Sequence, residues 1–267
     1  MHRAVLASLY HPRRRLELKN DDLVLHGGTA LHVVYGSPRY SEDLDFMCKE
    51  SLDTVRKLLE RSAGEVETFL AMHQTTADLD LSIRVQHKQK SSMLISWFLA
   101  ESPIRHGLVR VKAECYSPVQ MHQYRVATIF IDSGPLGAIA VSAGSLDAIM
   151  GDKIVALACR PYLKYRDLFD LYWLAYSKGI VPRIEYVEAS AKVYGYSLDE
   201  IHAKLVDFIA KEIDERDVKQ GVIKWLPESA RAAFEQDQAV AALIETAKSL
   251  AQRIVDEISS CKEPKAT

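Results

Sequence analysis

Asp43 and Asp45 stand two residues apart in the run Arg39-Tyr40-Ser41-Glu42-Asp43-Leu44-Asp45-Phe46. On a strand this spacing projects both carboxylates from one face and sends Leu44 and Phe46 into the core. At an effective dielectric of about 20, two carboxylates ~5 Å apart repel by about 3 kcal/mol. Solvent, protonation, a basic neighbour or a metal must relieve that repulsion. Hard oxygen donors so spaced suit Mg²⁺, which takes one or two protein carboxylates and fills its other positions with water and substrate phosphate. The competing reading is a solvated loop, or an ion pair with Arg39.

Upstream lies His26-Gly27-Gly28-Thr29-Ala30-Leu31. A strand that ends in two glycines and opens a helix offers unpaired backbone N–H groups at the helix's positive end, where a phosphate approaches without side-chain obstruction. By itself Gly27-Gly28 is more often a tight turn. Joined by one short helix to an acidic pair, it makes the two halves of a phosphoryl-transfer site. Glu114 is a third carboxylate, on the polar face of a strand that also carries Arg110 and Lys112. There it either allows a second ion to bind or pairs across strands with a base.

A second charged group falls on a helical pair: Asp152, Lys153 and Arg160, then Arg166, Asp167 and Asp170. Lys153 sits between Ile149, Ile154 and Leu157, at the edge of an apolar stripe, so its amine either snorkels to water or meets an anion. Asp167 and Asp170, three apart, share one helix face and receive either a cation or a structural bridge from the facing helix. The nearby Tyr162, Tyr165, Tyr172, Trp173 and Tyr176 are base-stacking or packing groups, with Tyr172 and Trp173 in the apolar run.

The elements that must position these residues are legible in the periodicity. Residues 23–26 read as a strand, 29–35 as a helix stopped near Gly36 and Pro38, 44–47 as a strand and 52–63 as an amphipathic helix. Leu79, Leu81, Ile83 and Val85 alternate with Asp80, Ser82, Arg84 and Gln86, and residues 109–116 alternate likewise, so both read as strands with one buried face. Residues 126–131 and 138–141 read as strands around a loop. From Ser145 onward the pattern is helical, over 145–159, 165–179, 184–194, 198–214, 228–234 and 238–258. The expected architecture is therefore α/β (α+β), with a core domain over residues 1–144 and a helical domain over 145–267 that completes the active site.

The chain has 267 residues, 48% apolar and 26% charged, which is the composition of an ordinary globular protein. Its 34 basic and 36 acidic side chains give a net charge of −2, so a polyanion would need a local basic patch. Arg13, Arg14 and Arg15, with Arg110 and Lys112, are candidates for one, although a charge run is commonly only a solvated face. Cys48, Cys115, Cys159 and Cys261 are too scattered for a zinc site or a disulfide framework and read as reduced thiols. No stretch reaches the roughly 18 apolar residues of a membrane span. A cytoplasmic location is expected.

Taken in order, Gly27 to Leu31, Arg39 to Phe46, Lys112 to Glu114, and Lys153 through Arg160, Arg166 and Asp167 to Asp170 resemble the motif blocks of the AbiEii/AbiGii toxin family. The resemblance spans about residues 23 to 176. It implies a polymerase-β-type nucleotidyltransferase fold with a mixed sheet and a C-terminal helical domain. It also implies an NTP substrate, Mg²⁺ or Mn²⁺, and a cognate antitoxin. Relatives of the MenT type add nucleotides to the tRNA acceptor end, which makes tRNA or another RNA the implied acceptor. The same resemblance assigns Asp43 and Asp45 as metal ligands, with Glu114 as a ligand or supporting residue. Lys153 becomes the phosphate-contacting base and Asp167 or Asp170 the acid of the second domain. Gly27, Gly28, Thr29, Arg39, Ser41, Lys112, Arg160 and Arg166 fall on the substrate side. Where many superfamily members have Gly-Ser, this chain has Gly28-Thr29, whose hydroxyl is still able to bond a phosphate. The alternatives are a protein-modifying enzyme on the same fold and a non-catalytic binding partner.

Overall fold

The computed structural model describes residues 1–10, 22–72, 80–90, 92–104, 108–117, 125–134, 137–235 and 237–262. The chain divides into two compact units, one of Met1–Gly36, Ser41–Val119 and Val126–Ala143, the other of Ser37–Tyr40, Gln120–Arg125 and Gly144–Thr267.

The first unit holds a seven-stranded mixed sheet. Its strands are β1 (Leu23–His26), β2 (Asp43–Cys48), β3 (Ser82–Lys90), β4 (Met93–Glu101), β5 (Leu108–Tyr116), β6 (Val126–Asp132) and β7 (Ala138–Gly144), in the order β3-β4-β5-β2-β1-β7-β6. β2 runs antiparallel to β1 and parallel to β5, while β4 is antiparallel to both β3 and β5. Helices α1 (His2–Leu9) and α3 (Leu52–Ala71) pack together, and α3 lies against β3 and β4. Partners in register share a face, so Leu44, Phe46 and Cys48 of β2 lie with Ala113 and Cys115 of β5 and Leu94 and Phe98 of β4, all fully buried. Val55, Leu59 and Val66 of α3 are buried too. The Arg56–Gln89 hydrogen bond of 2.6 Å and the His87–Glu60 contact of 3.4 Å fix the sheet face that α3 covers. Burying a side chain of the Leu or Phe class contributes about 1.5–3 kcal/mol, so this layer sets which face of β2 points inward. Asp43 and Asp45 are thereby turned to the opposite face.

The second unit is helical: α4 (Leu146–Cys159), α5 (Tyr165–Lys178), α6 (Ile184–Tyr194), α7 (Leu198–Ala210), α8 (Glu215–Ile223), α9 (Glu228–Phe234) and α10 (Asp237–Lys262). The Ser145 hydroxyl caps α4 by accepting from the Ala148 N–H at 3.2 Å, and Gly179 ends α5 at a φ of +66°. α4 is buried almost all round and packs on α6 at Gly151, where a Cβ would stand 2.6 Å from the Tyr186 carbonyl oxygen. No helix among the described residues is long and apolar enough to cross a membrane.

Several elements differ from the sequence expectation. The helix after β1 begins at Gly27, makes one α-turn, α2 (Gly27–Thr29), and then widens into a π-helical turn, Ala30–Val34. Strand β3 begins at Ser82, because Asp80 takes a left-handed φ of +46°; Leu79 lies outside the described residues. α3 runs on to Ala71, and α1 and β4 were not anticipated. The segment read as one helix over 198–214 stops at Ala210. Asp214 then starts α8 by accepting from the Arg216 N–H at 2.7 Å.

Candidate active site

Two groups of the expected residues are assembled, one in each unit. In the first, register does the work: Asp43 faces Lys112 and Asp45 faces Glu114 across the β2–β5 pair, while His26 of β1 faces Asp45 on the other side. The Lys112 ammonium lies 3.0 Å from Asp43 Oδ2 and 2.9 Å from Glu114 Oε1, so it bridges the two strands. Burial pulls its pKa down, but hydrogen bonds to Glu114 and Asp43 outweigh that and raise it. Asp43 is therefore relieved by a basic neighbour, and that neighbour is Lys112. Glu114 shares the same ammonium. All three side chains keep partial solvent access, at 24–30%.

Gly27 sits against Asp45. Its φ is +68°, and a Cβ there would lie 2.8 Å from Asp45 Oδ2, so two separate constraints require glycine at this position. Thr29 is buried, and its hydroxyl donates to the Asp43 carbonyl. That bond ties the helical turn to the start of β2 and occupies the donor that a phosphate would use. Ser41 is half-buried two residues before β2. Among the described residues no three His, Cys, Asp or Glu side chains converge as a ready-made metal cage.

The second group is a buried charge network. The Lys153 amine lies 2.6 Å from Asp167 Oδ1 and 2.5 Å from Asp170 Oδ2. Arg39 grips Asp170 with two parallel bonds of 2.7 and 2.8 Å, and Arg160 pairs with Asp167. Lys153, Asp167, Asp170 and Arg39 are all buried, and only Arg160 is appreciably exposed. Burial pushes the Asp167 carboxyl up, but the charges of Lys153 and Arg160 prevail and hold it at about 2. The sequence left open whether Lys153 meets an anion and whether Asp167 and Asp170 form a bridge. In the structure each supplies the other's partner. Arg39, offered above as a mate for the acidic pair, is instead committed to Asp170. Residues 37–40 belong to the helical unit, where the Tyr40 N–H donates to the Trp225 carbonyl at 2.8 Å. Arg166 lies over the Trp225 ring, 5.2 Å from its centre.

A sequence model of the family described as nucleotidyl transferase AbiEii toxin, type IV toxin–antitoxin system, matches residues 10–258. The chain belongs to the AbiEii family. It is accordingly a toxin nucleotidyltransferase, and membership of this toxin–antitoxin family implies an NTP substrate and an antitoxin. Among solved structures it is similar to a nucleotidyltransferase from H. pylori, with 19% identity, a TM-score of 0.51, and 98% of this chain and 95% of that one covered. It is also similar to MenT4, a nucleotidyltransferase toxin from Mycobacterium tuberculosis, with 15% identity, a TM-score of 0.53 and coverage of 98% and 91%. These likenesses establish a shared fold. No curated protein sequence matches.

In AbiEii terms, the structure joins Gly27, Asp43, Asp45, Lys112 and Glu114 in one group and Arg39, Lys153, Arg160, Asp167 and Asp170 in another. Arg13, Arg14 and Arg15 lie outside the described residues. Sequence reasoning missed the clamp that Lys112 places on Asp43. The signal was present in the Lys112-x-Glu114 spacing, but only the pairing of β5 with β2 shows whose carboxylate the lysine reaches. Of the aromatic residues, Trp173 is buried, whereas Tyr176 is exposed and stacks on Tyr172 with ring centres 4.7 Å apart.

Proposed function

We propose that this AbiEii enzyme transfers a nucleoside monophosphate from an NTP to an RNA acceptor, the 3′ end of tRNA, with Mg²⁺ or Mn²⁺. The observation that carries the reading is the β2–β5 register, which sets Asp43, Asp45, Lys112 and Glu114 on one partly solvated sheet face with Gly27 closed against Asp45. The donor set fits a hard divalent cation: Asp43 and Asp45 supply the one or two carboxylates such an ion takes from protein, and a triphosphate supplies more oxygens. Bound there, the ion would neutralise the triphosphate and acidify an attacking hydroxyl. Glu114, shared with Lys112, supports that ligand pair.

This chain's own groups do the rest. Lys112 fixes the Asp43 carboxylate and brings positive charge to the face. Gly27 and Gly28 keep the entry to the helical turn free of side chains. Lys153 acts as a positioning residue that holds Asp167 and Asp170, and Arg160 is the exposed cation of that network. The tRNA acceptor follows the MenT-type relatives that the motif blocks resemble. Incubation with each α-phosphate-labelled NTP plus total RNA and total protein tests the proposal. Metal-dependent label in RNA is expected, and label confined to protein would transfer the same chemistry to a protein acceptor.

A further inference from the structure

On the sheet face that carries the carboxylates, the rows continue outward beyond β5. Gln86, Trp97, Lys112 and Asp43 stand in one row; Lys88, Ile95, Glu114 and Asp45 form the next; Arg84, Leu99 and Arg110 flank them. α3 covers the other face; on this one Met93, Ile95 and Trp97 keep partial exposure, while Leu99 is buried. Arg84, Lys88, Lys90 and Arg110 are exposed around them. Among the described residues of β3, β4 and β5, the acid on this face besides Glu114 is Glu101, which pairs with Arg84 at 2.6 Å with both side chains about half exposed. An exposed pair of that kind is worth little and is readily exchanged for a phosphate.

We infer that this β3–β4–β5 face is the platform on which the single-stranded end of the RNA acceptor lies, with a base stacked on Trp97 and the backbone tracked by Arg84, Lys88, Lys90 and Arg110. The inference rests on the RNA reading above and says where on the chain that substrate sits. An indole set among cations is the combination that binds unpaired nucleic acid, since stacking accepts any base while the cations hold the backbone. The cations are collected here although the whole chain carries a net charge of −2, so the face is polarised toward a polyanion. The row from Gln86 through Trp97 and Lys112 ends at Asp43, which places the strand's end beside the carboxylates. Duplex RNA hides its base faces and would leave Trp97 without a partner.

The test is fluorescence anisotropy of the full-length protein with a labelled single-stranded RNA oligonucleotide bearing a free 3′-hydroxyl, alongside binding of a fluorescent NTP analogue. Trp97→Ala is expected to weaken RNA binding about tenfold and Trp97→Phe much less, with NTP affinity unchanged in both. Lys88→Ala, an exposed change without risk to the fold, is expected to lower the slope of log affinity against log salt by about one. Unchanged RNA affinity in both Trp97→Ala and Lys88→Ala, while the wild type binds and labels RNA, would overturn the platform and leave the transferase reading intact. A wild type that neither binds nor labels RNA would overturn both.

Discussion

Replacing Lys153 by methionine separates its two possible roles. The substitution keeps the length of the side chain and removes one charge from a site where the lysine is 8% exposed and its partners Asp167 and Asp170 are 3% and 0% exposed. Breaking a buried ion pair from one side costs about 3–5 kcal/mol, because the remaining charge stays buried without its mate. Here each carboxylate keeps a second cation, Arg160 on Asp167 and Arg39 on Asp170, so the low end applies, about 3 kcal/mol. With a urea slope of roughly 2 kcal/mol/M, the unfolding midpoint falls by about 1.5 M. Equilibrium urea unfolding measures this, and the apparent KM for NTP is read at a temperature where the variant is folded. The double variant Lys153→Met/Asp167→Asn should lose less than the sum of the single losses, since the two side chains act as one interaction. An unchanged midpoint with a strongly raised KM would instead make Lys153 a phosphate contact and not a buried bridge.

Asp43→Ala and Asp45→Ala should each abolish nucleotide transfer while changing stability by less than about 1 kcal/mol, because neither truncation opens a core cavity; unfolding curves run beside the transfer assay check both halves. Gly27→Ala should add about 1–2 kcal/mol of backbone strain at a φ of +68°. It should also displace the Asp45 carboxylate, which a Cβ would meet at 2.8 Å, and cut transfer by about a hundredfold. Acid unfolding should report on Asp167, whose carboxyl is held at about 2 against an ordinary 3.8. A depressed folded pKa gives stability that is complete above about pH 4 and is lost as pH falls toward 2, ~2 kcal/mol in all, and Asp167→Asn should remove that part of the pH dependence.

The α/β class was legible because a period of two in β3 and β5 and a period near 3.6 in α3 are local signals. β4 was not: Met93-Leu94-Ile95-Ser96-Trp97-Phe98-Leu99 alternates poorly, because its inner face is core and its outer face carries apolar residues as well. The break between α7 and α8 was hidden for a different reason. Lys211-Glu212-Ile213 are acceptable helix formers, and only the Asp214 cap marks the new start. At the candidate site, the common face of Asp43 and Asp45 followed from spacing alone. The commitment of Lys112 to Asp43, and of Arg39 to Asp170, depends on strand pairing and helix packing between residues 69 and 131 positions apart, which no local pattern carries.

Nucleotidyl transfer to an RNA 3′ end is read directly from the intact mass of purified tRNA after incubation with the enzyme, NTPs and Mg²⁺. The same tRNA with its terminal ribose oxidised by periodate serves as the blocked control. Transfer to the 3′-hydroxyl requires a mass gain equal to one or more nucleotide residues, each a nucleoside monophosphate less one water, in the untreated tRNA, no gain in the oxidised tRNA, and none with Asp45→Ala. Unchanged tRNA mass together with a nucleotide-sized gain in protein, or equal gains in blocked and unblocked tRNA, would contradict it.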